Sequence, residues 1–164
     1  MTFNEKICQR LSGEWDSMVG AFTDISDERV LEPGTLGDWS MRDLMVHIGA
    51  WIKEAENALP SIIQGKRLSR SKSLGGGIDV FNARVKEKYQ SLSPTKARAF
   101  LVIAYQRLYT RLSELPELDT KAQRRLVSRM RSDTYGHWRQ HASDVRKWSI
   151  KSTAIPPSHE TTGA

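Results

Sequence analysis

Apolar residues recur along most of the chain at steps of three and four, the spacing that lines them up on one face of an α-helix. In the first segment Ile7, Leu11, Trp15, Met18, Phe22 and Ile25 form such a stripe, which ends before Glu32, Pro33 and Gly34. A second helix begins within GDWSMRDLMVHIGAW. There Ser40 and Asp43 have the spacing of a capping box, with aspartate in place of the usual Glu or Gln. Leu44, Ile48, Trp51, Ala55, Leu59 and Ile62 continue its buried face, and Pro60 predicts a kink or a new short element near its end.

The stretch KRLSRSKSLGGG, 66–77, has almost no apolar content and reads as a mobile loop. Asp79 is the expected cap of a third segment carrying Phe81, Val85, Tyr89 and Leu92, and Pro94 opens the next helix in its first turn. That helix carries Ala97, Leu101, Ala104, Leu108, Leu112 and Leu115, and Pro116 stops it. A short basic amphipathic piece follows, with Ala122, Leu126, Val127 and Met130 as its apolar positions. The last helix starts at Ser132 or Asp133 and runs to about Ser149. No segment alternates with the strand period and no internal repeat is present. Four long amphipathic helices joined by loops predict an all-α fold, a four-helix bundle with a long crossover loop at 66–77.

Composition narrows this picture. At 164 residues and 38% hydrophobic content the chain suits one domain with a real core, expected over 1–150. The tail 151–164, which includes IPPSHETTGA, is expected to be disordered, and its His159 has no assigned role. No signal peptide and no membrane-length apolar window are visible, so a soluble, cytoplasmic protein with no membrane partner is expected. The single cysteine, Cys8, cannot form an internal disulfide; beside Ile7 and Leu11 it reads as a buried, inert thiol. The net charge of +6 raises the question of a nucleic-acid partner. In KAQRRLVSRMR, 121–131, a solvated basic face accounts for the arginines, and no stacking platform or recognition helix supports nucleic-acid binding.

The candidate chemistry lies in TYGHWRQHASDVRKW, 134–148, where His137 and His141 stand four residues apart. That spacing puts both imidazoles on one helix face, a turn apart and within reach of a single ion. His47, three residues after Leu44 and four before Trp51, faces inward on its own helix. One inward histidine is ordinarily a hydrogen-bonded core residue. Three on two helices would be poorly satisfied by one another, whereas a divalent ion uses their free nitrogens. Three protein ligands leave coordination positions open, as in catalytic sites. HWRQH lacks the glutamate that serves as general base in HExxH, which excludes a zincin-type protease. Glu54 and Asp144, each seven residues after a histidine, are candidate ligand-orienting carboxylates, with the solvated rim as their alternative. No catalytic residue is assigned.

The residues GDWSMRDLMVHIGAW, then DVFN at 79–82, then TYGHWRQHASDVRKW resemble the DinB-like superfamily. They are closest to the branch holding the ClbS/DfsB-type proteins and the N-terminal domains of mycothiol-dependent maleylpyruvate isomerases. The resemblance covers Trp15 to Trp148. It implies a homodimeric four-helix bundle with a divalent metal, zinc or nickel, held by three histidines, carried over here to His47, His137 and His141. It also implies a transferase or hydrolase acting on a small electrophile with a low-molecular-weight thiol. The alternative is a non-catalytic ligand-binding or stress and toxin-protection protein of the ClbS/DfsB type, although those proteins tend to lack the complete histidine set. Trp51 and Asn82 are candidate substrate contacts, each with a structural alternative: core packing for Trp51 and a capping or core hydrogen bond for Asn82.

Overall fold

The computed structural model describes residues 1–66 and 74–153, with side chains as far as residue 150. Most of the loop expected at 66–77, and the tail from 154 onward with His159, lie outside the described residues.

Helix α1 (Phe3–Phe22) is capped by a box in which Thr2 and Glu5 satisfy each other's backbone N–H. It buries Ile7, Leu11, Trp15, Met18 and Phe22 as the spacing predicts, while Ile25 is buried from the turn that follows. A short α2 (Asp27–Leu31) leads into a small antiparallel hairpin, β1 (Pro33–Leu36) and β2 (Trp39–Ser40). The expectation of no strand is corrected here. Strands of four and two residues are too short to show a period; their local signals are Gly34 within β1 and the turn glycine Gly37, with φ of 106° and 60°.

Helix α3 (Met41–Ile63) starts where the sequence places it. Ser40 Oγ accepts from the Asp43 N–H at 3.2 Å and Asp43 Oδ2 accepts from the Ser40 N–H at 3.1 Å. Pro60 is absorbed within the last turn. Helix α4 (Ile78–Tyr89) begins after Gly77, and no side chain caps it, so Asp79 lies in its first turn and is not the cap. Helix α5 (Pro94–Ser113) is capped by Ser93 with Pro94 in its first turn. Helix α6 (Thr120–Asp133) is capped by Asp119, and α7 (Tyr135–Thr153) follows after one non-helical residue, Thr134. The last helix thus starts later than Ser132 or Asp133, because both residues complete α6 and the Asp133 side chain is fully buried in it.

Helices α1, α3, α5 and α7 form the four-helix arrangement, with α3 against α5, α5 against α1, α1 against α7 and α7 against α3. Helix α4 packs outside α3, and α6 wedges between α3 and α7. The centre is aromatic: Trp15 stacks on Tyr105 with centroids 4.0 Å apart, and Trp138, fully buried, meets Trp15 edge-on at 5.7 Å. Cys8 is buried, as expected. On α6, Ala122, Leu126 and Met130 face inward, but Val127 is exposed. Nor are all its arginines solvated, since the half-buried Arg129 pairs with Asp133 one turn on at 2.5 Å. Among the described residues no helix is long and apolar enough to cross a membrane.

Candidate metal centre

Two helices present the three histidines to one another. His47 lies on the α3 face that turns toward α7, and the four-residue step of α7 stacks His137 and His141 opposite it. The Nε2 atoms converge: His47 Nε2 is 2.9 Å from His137 Nε2, which is 2.8 Å from His141 Nε2. The rings meet edge to face, with centroids 4.4 to 5.1 Å apart. His47 and His141 are buried, at 5% and 6% exposure, so water does not solvate a charge on either ring.

Electrostatics keeps the His47 and His141 rings neutral. Burial, helped by repulsion from His141, pushes the His47 pKa down to about 3 against a weaker opposing bond to Asn82. Burial also lowers His141, partly offset by Asp144. A neutral imidazole has one N–H and one lone pair. Because His137 Nε2 sits within bonding distance of both other Nε2 atoms, a single shared proton cannot serve both contacts well. A divalent cation among the three nitrogens would take a lone pair from each. The donor set therefore fits a borderline divalent ion with nitrogen preference.

The position of His137 depends on the tight junction between α6 and α7. A Cβ added to Gly136 would lie 2.4 Å from the Arg131 carbonyl oxygen, so only glycine lets α7 start this close to the end of α6. Thr134 bonds back to the Met130 carbonyl through both its N–H and its hydroxyl, which fixes the break.

A cavity of about 180 Å³ opens on the imidazoles, lined by His47, Trp51, Ile78, Asn82, Ser132 and His137. Trp51 places its ring 5.8 Å from that of His137 and donates its indole N–H to Asn82 Oδ1 at 3.1 Å, so Trp51 and Asn82 line the same cavity wall. The structure brings the two carboxylates to different places. Asp144 Oδ2 lies 3.6 Å from His141 Nδ1, so its neighbour is the histidine three residues before it, not His137 seven before. The Glu54 carboxylate is not among the groups gathered at the imidazoles. It lines the neighbouring cavity beside Lys53, and burial raises its pKa against the pull of Arg129. Three residues at the site, Trp39, Ile78 and Ser132, are not read as site residues from the sequence. Trp39 packs edge-on against His47 at 5.1 Å, delivered by the hairpin, and Ser132 reaches the cavity from the end of α6. Tryptophan in GDWS was the one available signal for the first; a lone serine in a basic helix offers none.

With this geometry in place, the family can be stated. The model of the mycothiol maleylpyruvate isomerase N-terminal domain matches residues 11–145. The chain belongs to that family. It is thus a DinB-like domain, in accord with its all-α architecture and with the resemblance carried by the histidine segments. No curated protein and no solved structure matches it significantly.

Proposed function

We propose that this DinB-like protein binds a divalent metal, zinc or nickel, through His47, His137 and His141, and uses it to join a low-molecular-weight thiol, or water, to a small electrophile. The observation that carries the reading is the convergence of three Nε2 atoms from two helices at 2.8 and 2.9 Å. Bound there, the ion would supply Lewis acidity, lowering the pKa of a coordinated thiol or water toward neutrality. The chain's own part is positional. The histidines hold the site neutral and directed, Trp39 and Trp51 wall off bulk water, and the amide of Asn82, held by the Trp51 indole, orients a polar group of the substrate.

The cavity's size favours catalysis on a small reacting group over storage of a bulky toxin. At about 180 Å³ it falls below the few hundred cubic ångströms that enclose a drug-sized ligand. Membership of the family supports thiol chemistry, and the proposal extends to a cytoplasmic homodimer, which sedimentation velocity would read as a doubled mass. The decisive experiment is metal analysis by elemental mass spectrometry on protein purified without an affinity tag, beside His47→Ala and His141→Ala. Near-stoichiometric metal in the wild type, lost in both variants, is expected. A wild type that stays metal-free after incubation with zinc or nickel would sink the reading.

A further inference from the structure

A second cavity lies on the outer side of the same α3–α4 pair, with a volume of about 300 Å³. Three cations line it: Lys53 from α3, and Arg84 and Lys88 from α4. Among the described residues none of the three makes an ion pair, which sets them apart from Arg42, Lys86, Arg98, Arg107, Arg129 and Arg139. Arg84 donates to the carbonyls of Leu74 and Gly75, which fixes the guanidinium without pairing it to a carboxylate among the described residues. The one carboxylate on the lining, Glu54, is half-buried; Arg129 on the adjacent helix attracts it most and Lys53 more weakly. Phe81 and Tyr89 give the cavity an aromatic wall, and the Lys88 ammonium stands 5.4 Å from the Tyr89 ring centroid.

The two cavities lie on either side of one ring contact, Trp51 edge-on to Phe81 at 5.1 Å. Trp51 and Asn82 face the imidazoles, while their sequence neighbours Ala50 and Phe81 face the cations. We propose that the Lys53–Arg84–Lys88 cavity binds a small organic anion, its acidic end at the three cations and its planar or apolar body against Phe81 and Tyr89. Three cations against one carboxylate around an aromatic wall favour such a ligand by charge and by stacking, and Arg84 offers the planar fork that carboxylates accept. This binding does not rest on the metal-centre reading.

The test uses benzoate as the probe and benzamide, of the same shape without the charge, as its control. Both are titrated into the full ¹⁵N-labelled chain, first stripped of metal with a chelator and then loaded with zinc. Benzoate should produce saturable amide shifts around Lys53, Phe81, Val85 and Lys88 in both metal states, with benzamide at least ten times weaker. The double variant Lys53→Gln/Lys88→Gln, altered only at exposed positions, should weaken benzoate at least fivefold while leaving the rest of the spectrum in place. Equal binding of the two probes, shifts centred elsewhere in the bundle, or an unaffected double variant would each overturn the proposal. Benzoate binding that survives in a protein unable to take zinc would remove the metal reading and leave the anion site standing; zinc uptake without benzoate binding would do the reverse.

Discussion

Helix α7 carries two faces of opposite design, one residue apart. Trp138 is fully buried and turns toward α1, where it joins Trp15 and Tyr105 in an apolar, aromatic core. His137 and His141 turn toward α3 and gather polar nitrogens with no apolar partner able to satisfy them. The first face is stabilised by removing apolar surface from water. The second holds desolvated imidazoles whose Nε2 atoms face one another, an arrangement that adds little to stability and that a bound cation would complete. One helix thus separates what folds the chain from what equips it.

Cutting into the folding face should have the largest effect on stability. Trp138→Ala removes a fully buried indole and should destabilise by roughly 3–5 kcal/mol, lowering Tm by on the order of 10 °C. Thermal unfolding followed by circular dichroism checks this, and a loss below about 1 kcal/mol would mean that the aromatic centre is not where the stability resides.

The opposite result is expected on the other face. His47→Leu replaces a buried imidazole by an apolar side chain of similar bulk, so the metal-stripped variant should stay within about 1.5 kcal/mol of the metal-stripped wild type. Its zinc affinity, by competition with a chromophoric chelator, should fall more than about 100-fold, since even lost outer-shell contacts cost 10–100-fold. Zinc should accordingly raise the Tm of the wild type and leave that of the variant unchanged. A variant that is crippled without metal and indifferent with it would erase the distinction between the faces.

The folding face was the more legible in the sequence, because its signal is periodic. The stripes of α1, α3 and α5, and the Ser40–Asp43 box, follow from spacing alone. His47, His137 and His141 were legible for the same reason, as inward positions on helices already placed. What spacing could not supply is contact between elements. Trp39 arrives through a hairpin too short to have a period, Ser132 through the end of α6, and the Lys53–Arg84–Lys88 cavity through the pairing of α3 with α4. Asp144 illustrates the limit within one helix. Seven residues from His137 and three from His141 put it on a shared face with both, and only the fold shows that His141 is its neighbour.

The two faces share a hinge point at Gly136, which provides a smaller and sharper test. Gly136→Ala forces a Cβ against the Arg131 carbonyl and should cost roughly 1–3 kcal/mol by displacing the start of α7. Because His137 is the next residue, zinc affinity should fall along with stability, in contrast to the split expected between Trp138→Ala and His47→Leu. A variant of normal stability and normal zinc affinity would show that the junction does not set the histidine's position.

The smallest effect belongs to the bond that ties the outer edge of α7 to α1. Arg139 grips Glu14 through two guanidinium nitrogens, with Nε donating to Oε2 at 2.8 Å. The Arg139 hydrogen bond holds the Glu14 carboxyl below its ordinary pKa of 4.5. A carboxyl with a lowered folded-state pKa contributes stability above its unfolded value and loses it as pH falls through the folded one. The contribution should therefore be complete at pH 6 and vanish progressively below about pH 4.5. The pair is largely exposed at Arg139, where solvent screens it, so Glu14→Gln should cost no more than about 1 kcal/mol at neutral pH and nothing in acid. Denaturant unfolding of both proteins at pH 7 and pH 3 reads this directly. If the difference were as large at pH 3 as at pH 7, Glu14 would act through packing against α7 and not through charge. The outer seam of the helix would then obey the rule of its Trp138 face.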